Sequence, residues 1–167
     1  LEPYVTFTFD KAAEPNISFE DPTEPTDVEV GKVRQGRVRR RIDRVIKQNY
    51  PESIGEYTIV RPTHGTIDAS ERSLYSRPNA FFSQTPYGYL NIYRNTLLTI
   101  SDRVHACVPT IAYGGQAQLC IDTGRSRLFD RIGLGDIIDR PVSVDLEYLE
   151  SERRTLEKEL KDAVGAT

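Results

Sequence analysis

Five basic side chains recur at a spacing that could contact a row of phosphates: Arg37, Arg40, Arg41, Arg44 and Lys47. On a helix with 100° per residue, they fall within about 120° of one another. Guanidinium groups form rigid forks that match phosphate oxygens, so this face could follow a nucleic-acid backbone or bind another polyanion. The same row could also be a solvated helix face, or it could pair with carboxylates supplied by protein.

The surrounding charges favour a protein counterpart for this basic row. Residues 1–30 contain eight acids and one lysine, whereas residues 31–50 contain eight basic residues and one acid. These segments carry −7 and +7 in a chain whose net charge is −3. Pro15, Pro22 and Pro25 disfavour regular pairing in the first segment, which predicts an extended acidic arm. We expect the arm to contact the basic row of its own or a neighbouring subunit.

A possible nucleophilic group lies around Cys107. If Gly114-Gly115 closes a two-residue hairpin, His105, Cys107 and Asp122 share one face of the sheet. His105 and Cys107 would then stand parallel on one strand instead of meeting. We therefore interpret them as packed side chains.

The histidines and cysteines also include the residue types that bind zinc. His64, His105, Cys107 and Cys120 nevertheless lack the paired spacing of common structural zinc sites. The hairpin register would hold the two cysteines about 7–8 Å apart, beyond disulfide reach, which predicts two reduced thiols. The sequence predicts no metal site and no cofactor.

A polar segment contains a further set of groups that could transfer protons, namely His64, Asp68 and Glu71. Polar loops and helix starts commonly contain such residues. The sequence therefore assigns no catalytic residue, although an enzyme with its site around His64 or His105 stays open as an alternative.

The elements that must position these groups follow from periodicity. Strands are expected at 4–9, at 56–60, through much of 73–100, on both sides of Gly114-Gly115, and at about 142–148. Helical spacing predicts helices at 37–50, ended by Pro51, and at about 150–164. An aromatic cluster is expected on a half-buried sheet: Phe81, Phe82, Tyr87, Tyr89 and Tyr93.

Together these elements predict an α+β fold with an antiparallel or mixed sheet of about five strands, packed by two helices. The predicted organisation is an acidic arm at 1–30, a body at 31–149 and a C-terminal helix at 150–167. No apolar run approaches the ~18 residues that span a bilayer, and no signal-peptide pattern is visible. We therefore expect a soluble chain without a membrane partner, in a compartment that the sequence does not indicate.

Three function classes follow from these observations. The first is a non-catalytic subunit of a homo-oligomeric or virion-like assembly, in which the acidic arm pairs with the basic helix. The second is a nucleic-acid or polyanion-binding module that uses the same arginines. The third is an enzyme with a site around His64 or His105.

Overall fold

A computed structural model of the chain describes residues 2–10, 12, 14–19, 28–31, 50–64 and 76–165. This part contains α helices and a mixed sheet, which confirms the predicted α+β class. Apart from Tyr50, the predicted helix at 37–50 lies outside the described residues.

The strands and helices are numbered in chain order. The strands are β1 (Tyr4–Thr8), β2 (Ile17–Phe19), β3 (Val28–Val30), β4 (Ser53–Ile54), β5 (Tyr57–Pro62), β6 (Ala80–Phe81), β7 (Leu98–Ser101) and β8 (Gln116–Leu119). The α helices are α1 (Pro86–Asn95), α2 (Val104–Ala112) and α3 (Leu146–Gly165). Three 3-10 turns follow β8, at Ser126–Leu128, Asp130–Ile132 and Gly135–Ile138.

The main sheet has the strand order β4-β5-β1-β7-β8. β5, β1, β7 and β8 are all parallel, while β4 pairs with β5 in the antiparallel sense. The first parallel strand in the chain thus lies between the second and the third. In open parallel sheets, ligands bind beyond the carboxyl ends of the strands, at the point where the strand order changes direction along the sheet. Here that position lies at the ends of β1 and β7.

β1 occupies the centre of the sheet, with β5 on one side and β7 on the other. The acidic arm predicted at 1–30 includes this strand, but Val5, Thr6, Phe7 and Thr8 are all buried. Residues 20–27 lie outside the described structure, and for them the extended arm stays a prediction.

The two faces of the central strands differ in chemistry. Val5, Phe7 and Ile59 belong to an apolar cluster on one face. On the other face, Thr6 and Thr99 hydroxyls lie 2.6 Å apart, and Thr110 of α2 continues the chain of hydroxyls. Buried hydroxyls that bond one another satisfy their polar groups without water. This chain of hydroxyls runs across the sheet from β1 through β7 to α2.

The predicted hairpin around Gly114-Gly115 is wrong. Residues 104–112 form helix α2, and β8 then runs parallel to β7. The glycines end the helix: Gly114 has φ +88°, its N–H donates to Ile111 O at 3.0 Å, and the Gly115 N–H donates to Thr110 O at 2.9 Å. This is the Schellman arrangement, in which a left-handed glycine satisfies the last helical carbonyls.

Burial explains why α2 forms although Pro109 lies inside it. Val104, Cys107 and Ile111 follow helical spacing and enter the core together. A proline inside a helix removes one backbone donor and costs about 3 kcal/mol. Tertiary packing of the apolar face outweighs this local preference.

Two other strand predictions need correction. Within 73–100, Pro86–Asn95 is helix α1, so Tyr87, Tyr89 and Tyr93 lie on a helix instead of a sheet. β6 and the start of β7 are strands in this range, as predicted. The strand expected at about 142–148 is reduced to one bridge between Val142 and Ala117, and α3 begins at Leu146. The predicted C-terminal helix is confirmed, although α3 buries none of its residues.

None of the helices in the described ranges is long and apolar enough to cross a membrane.

Candidate functional site

The carboxyl ends of three neighbouring parallel strands bring charged and polar residues together. Asp10 follows β1 after one residue, His64 follows β5 after one residue, and Asp102 and Arg103 follow β7 directly. Because parallel strands end at the same edge of the sheet, residues far apart in the chain become neighbours there. This edge is the candidate functional site.

The side chains of Asp10 and His64 face each other across this edge. Asp10 Oδ2 lies 3.6 Å from His64 Nδ1 and accepts a hydrogen bond from the His64 backbone N–H at 3.3 Å. Thr63 donates its hydroxyl to the other carboxylate oxygen at 3.2 Å. At 3.6 Å this contact is longer than a hydrogen bond, and the buried Nδ1 atom has no hydrogen-bond partner among the described residues, so the interaction is electrostatic. A carboxylate beside Nδ1 favours the proton on that nitrogen and leaves Nε2 as the proton acceptor.

The environment keeps Asp10 ionised. Burial alone would raise the pKa of Asp10, but the interactions with the His64 side chain and backbone and the positive charge of Arg103 outweigh it and lower the pKa below its usual value. Arg103 Nη2 lies 3.3 Å from Asp10 Oδ2. An ionised carboxylate beside an imidazole also stabilises the imidazolium that forms when the ring accepts a proton.

The other nitrogen of His64 contacts a buried phenol. His64 Nε2 lies 3.2 Å from the Tyr93 hydroxyl, which lies 3.2 Å from the Thr8 hydroxyl. Burial is the main cause that raises the pKa of Tyr93 far above its usual value, so the phenol stays protonated and can donate to Nε2. A second polar chain thereby runs from Thr8 through Tyr93 to His64.

Aromatic rings fix the plane of the His64 imidazole. Its centroid lies 4.6 Å from that of Tyr89 and 5.9 Å from that of Tyr93. The Tyr89 hydroxyl donates to Thr63 O at 2.6 Å, which holds α1 against the end of β5. Tyr89 and Tyr93 are four residues apart on α1, so both point to the same side.

Asp102 holds the backbone after β1 in place. Its carboxylate accepts hydrogen bonds from the Asp10 N–H at 3.3 Å and from the Ala12 N–H at 2.6 Å. The side chain is fully buried. Asp102 therefore positions Asp10 instead of contacting the pocket.

A buried ion pair between Arg61 and Glu14 holds the same segment after β1, further along the chain than Asp10. Glu14 accepts hydrogen bonds from Arg61 Nε at 3.0 Å and Nη2 at 2.8 Å. Arg77 donates to Phe9 O at 3.1 Å, and its guanidinium lies 5.0 Å from the centroid of the Tyr50 ring. The loop that carries Asp10 is thus fixed at both ends.

A pocket of about 470 Å³ opens beside His64. Its walls come from the end of β5, from the segment before α1, from α1 and from α2. The lining residues are His64, Phe82, Ser83, Gln84, Thr85, Pro86, Tyr89, Leu90, Tyr93, His105 and Pro109. None of these described lining residues is Lys, Arg, Asp or Glu. The pocket therefore offers two imidazoles, hydroxyls and aromatic rings, without a formal charge of its own besides any protonated histidine.

The expected shared face of His105, Cys107 and Asp122 is wrong, because His105 and Cys107 lie on different sides of helix α2. His105 is exposed and lines the pocket, whereas Cys107 is buried in the core and Asp122 accepts a hydrogen bond from Ser126 at 2.7 Å. Both cysteines are reduced, as predicted. The reason differs from the predicted hairpin geometry, because Cys107 lies on a helix and Cys120 follows a strand.

The remaining candidates are only partly within the described structure. Asp68, Glu71 and the basic row Arg37, Arg40, Arg41, Arg44 and Lys47 lie outside the described residues. The described part of the chain contains no group of three or more His, Cys, Asp or Glu residues that could hold a metal ion. Of the zinc-type residues considered from sequence, His64 and His105 share the pocket.

The sequence did not indicate that Asp10 and Tyr93 contact His64, or that Arg103 contacts Asp10. A signal existed for Asp10, which is a single acid directly after the apolar alternation of residues 4–9. Its significance depends on β1 being parallel to β5, and no local pattern indicates that pairing.

Comparison of the chain with protein-family models, curated proteins and solved structures finds no significant match.

Proposed function

We propose that this chain binds a small, uncharged, ring-containing molecule in the His64–His105 pocket and exchanges a proton with it through His64. The supporting observation is the 3.6 Å approach of the Asp10 carboxylate to Nδ1 of an imidazole that lines the pocket. An oriented, carboxylate-supported imidazole is the arrangement that general acid–base catalysis requires.

The proton transfer involves His64 Nε2. With Asp10 ionised and the proton on Nδ1, Nε2 has a lone pair that accepts a proton from a substrate O–H or N–H. The resulting imidazolium is stabilised by Asp10 on its other side. The same proton returns to the product or its leaving group, which restores the neutral ring.

The Tyr93 hydroxyl contacts His64 Nε2 when no ligand is bound. Its 3.2 Å contact is at the long end of the hydrogen-bonding range, so a substrate donor can replace it. Tyr93 keeps its hydrogen-bond contact with Thr8 when this exchange occurs. The phenol therefore holds the imidazole in its resting tautomer without being the group that reacts.

The pocket walls define the substrate class. A volume of about 470 Å³ matches a small organic molecule. Tyr89 and Phe82 provide ring surfaces, and Leu90 adds an aliphatic wall. Because the described lining lacks carboxylates, lysines and arginines, an uncharged ligand avoids burying a charge without a counter-ion.

Ligand binding is tested with simple ring compounds. Phenol, benzamide and benzyl alcohol are expected to shift NMR signals of Tyr89, Tyr93 and both histidines, whereas benzoate shifts them less. Leu90→Trp should fill the pocket and abolish the shifts. Leu97→Trp is the matched control, because Leu97 and Leu90 are 40% and 38% exposed and only Leu90 lines the pocket. Absence of shifts with all three uncharged compounds would refute the binding site.

Proton transfer is tested with 4-nitrophenyl acetate as a reporter ester. His64 is expected to accept a proton from the water that attacks the acetyl carbon, and 4-nitrophenolate leaves. His64→Gln should lower the rate by about 100-fold and Asp10→Asn by a smaller factor. Tyr87→Phe, on the exposed side of α1, should leave the rate unchanged. If fragments bind but His64→Gln has the wild-type rate, the chain is a ligand-binding protein without this catalytic role.

A second candidate function is the non-catalytic subunit of an oligomeric assembly. The exposed apolar side chains of α3 favour it, since Leu156 and Leu160 are 62% and 65% exposed. The proposed pairing of the acidic arm with the basic row must rely on acids other than Asp10 and Glu14, which pair with Arg103 and Arg61.

The arm is tested without removing β1. Neutralising its acids within 20–27, at Glu20, Asp21, Glu24 and Asp27, should lower the mass measured by light scattering if the arm holds subunits together. An unchanged mass would exclude the arm as the contact. Polyanion binding by the basic row stays a prediction, checked by salt-dependent binding of single-stranded nucleic acid.

A further inference from the structure

Helix α3 presents an apolar stripe to solvent. It runs for 20 residues, of which Leu149 and Glu150 are half-buried and the others are exposed. Leu149, Leu156 and Leu160 fall within about 40° of one another at 100° per residue. A helix with an apolar stripe normally covers it by packing against another element.

Acidic side chains border this stripe on both sides. By the same helical geometry, Glu152 and Glu159 lie along one border, and Glu150 and Glu157 lie along the other. Arg153 lies within the stripe and contacts Glu150 and Glu157 at 2.8 and 3.7 Å. We call this surface, the three leucines with the four glutamates, the α3 face.

The borders of the α3 face disfavour pairing with a second copy of itself. Two such faces in contact would bring glutamates opposite glutamates in either direction. Like charges at the flanking positions of paired helices oppose association. A suitable partner has an apolar stripe bordered by basic residues.

Residues 36–50 of this chain have that pattern, although they lie outside the described residues. Val38, Ile42 and Val45 recur at helical spacing, and Arg41 and Arg39 border them on opposite sides. The stripe from Val38 to Ile46 would be about 12 Å long as a helix, against about 16 Å for the leucines of α3. The lengths and the charges are complementary.

We infer that the α3 face docks residues 36–50 of a second copy of the chain. The positions of the two segments favour exchange between copies. Tyr50, where the basic segment ends, contacts Arg61 and Arg77 beside β5. α3 starts beyond β8, at the opposite side of the parallel strands, where Leu146 lies next to Gly114. A reciprocal exchange covers both α3 faces in a closed dimer with two equal contacts.

This inference deepens the assembly candidate and is independent of the His64–His105 pocket. It differs from the acidic-arm contact because the counter-charges come from α3. Neutralising the acids at 20–27 therefore tests the arm contact alone, and reversing the charge of the α3 acids tests the α3 contact alone.

The mass of the full-length chain, measured by light scattering over a range of concentrations, tests the inference. We expect a two-copy species that weakens as salt rises. Glu152→Arg combined with Glu159→Arg should weaken dimerisation by about tenfold or more. The matched control reverses two acids away from the α3 face, Glu147→Arg with Asp162→Arg, and should leave the dimer intact.

Charge exchange provides the decisive variant. Adding Arg37→Glu and Arg41→Glu to the Glu152→Arg, Glu159→Arg chain should restore the two-copy species. Circular dichroism checks that all variants keep their helix content. A wild-type chain that is monomeric at all concentrations would overturn the inference. A dimer that is not weakened by Glu152→Arg with Glu159→Arg would also overturn it, as would failure of the four-residue charge exchange to restore the two-copy species.

Discussion

Asp10 and His64, which follow the neighbouring parallel strands β1 and β5, place Oδ2 and Nδ1 3.6 Å apart at the carboxyl edge of the sheet. Arg103 contacts the same carboxylate oxygen at 3.3 Å. The ends of three strands thus supply the three side chains of one polar cluster, Asp10, His64 and Arg103. The position of this group beside the pocket is the structural basis of the proposed acid–base role.

Replacing Asp10 with Asn should destabilise the fold by about 1–3 kcal/mol at neutral pH, since hydrogen bonds to a charged group are lost. The folded-state pKa of Asp10 is lowered. Its stabilising contribution is therefore complete above its unfolded pKa of about 3.9 and is lost as pH falls through the folded pKa.

Urea unfolding at a series of pH values measures this effect. The free energy of unfolding of wild type should fall more steeply below about pH 4 than that of Asp10→Asn. Asp136→Asn, which removes a carboxylate paired with Arg140 at the surface, should keep the wild-type profile. Parallel profiles for wild type and Asp10→Asn would contradict the lowered pKa.

The sequence predicted β1, β5 and α3 because their patterns are local. Alternation of apolar residues suffices for the two strands, and helical spacing suffices for α3. The order of the parallel strands depends on crossover connections, which leave no such local pattern. The pairing of Asp10 with His64 could therefore not be predicted from the sequence.

The Gly114-Gly115 segment shows a second limit. Two adjacent glycines are compatible with a hairpin turn and with a helix end. The choice depends on whether residues 104–112 form a strand or a helix, and Pro109 inside this segment is unfavourable in a helix. The burial of Val104, Cys107 and Ile111 against the sheet favours the helix, and this is a tertiary effect.

Gly114→Ala should destabilise the protein by about 1–2 kcal/mol, because a left-handed conformation is costly for a residue with a Cβ atom. Gly115→Ala should also destabilise it, since a Cβ there would lie 2.9 Å from Thr96 O. Gly124→Ala is the control, as a Cβ at that position meets no atom within 4 Å. Thermal unfolding measures all three variants. Equal melting temperatures for Gly114→Ala and Gly124→Ala would contradict the helix-ending geometry.

Removing one partner of the Arg61–Glu14 pair should be among the most damaging changes to the fold. Arg61 is 2% exposed, so Glu14→Gln leaves a buried charge without its counter-ion. The expected loss is about 3–5 kcal/mol, measured by urea unfolding.

The double variant Glu14→Leu with Arg61→Met removes both charges and should be less destabilised than Glu14→Gln. Glu150→Gln on the exposed α3 should cost less than about 1 kcal/mol. If the loss in free energy of unfolding of the double variant equals the sum of the losses of its two single variants, the two charges do not compensate each other.

The tautomer of His64 tests the central claim most directly. Long-range ¹H–¹⁵N correlation spectra distinguish imidazole rings protonated on Nδ1 from those protonated on Nε2. At a pH where the ring is neutral, the Asp10–His64 contact predicts the Nδ1–H form in wild type and a shift towards Nε2–H in Asp10→Asn. A His64 ring protonated on Nε2 in wild type, or unchanged in Asp10→Asn, would contradict the proposed acid–base pair.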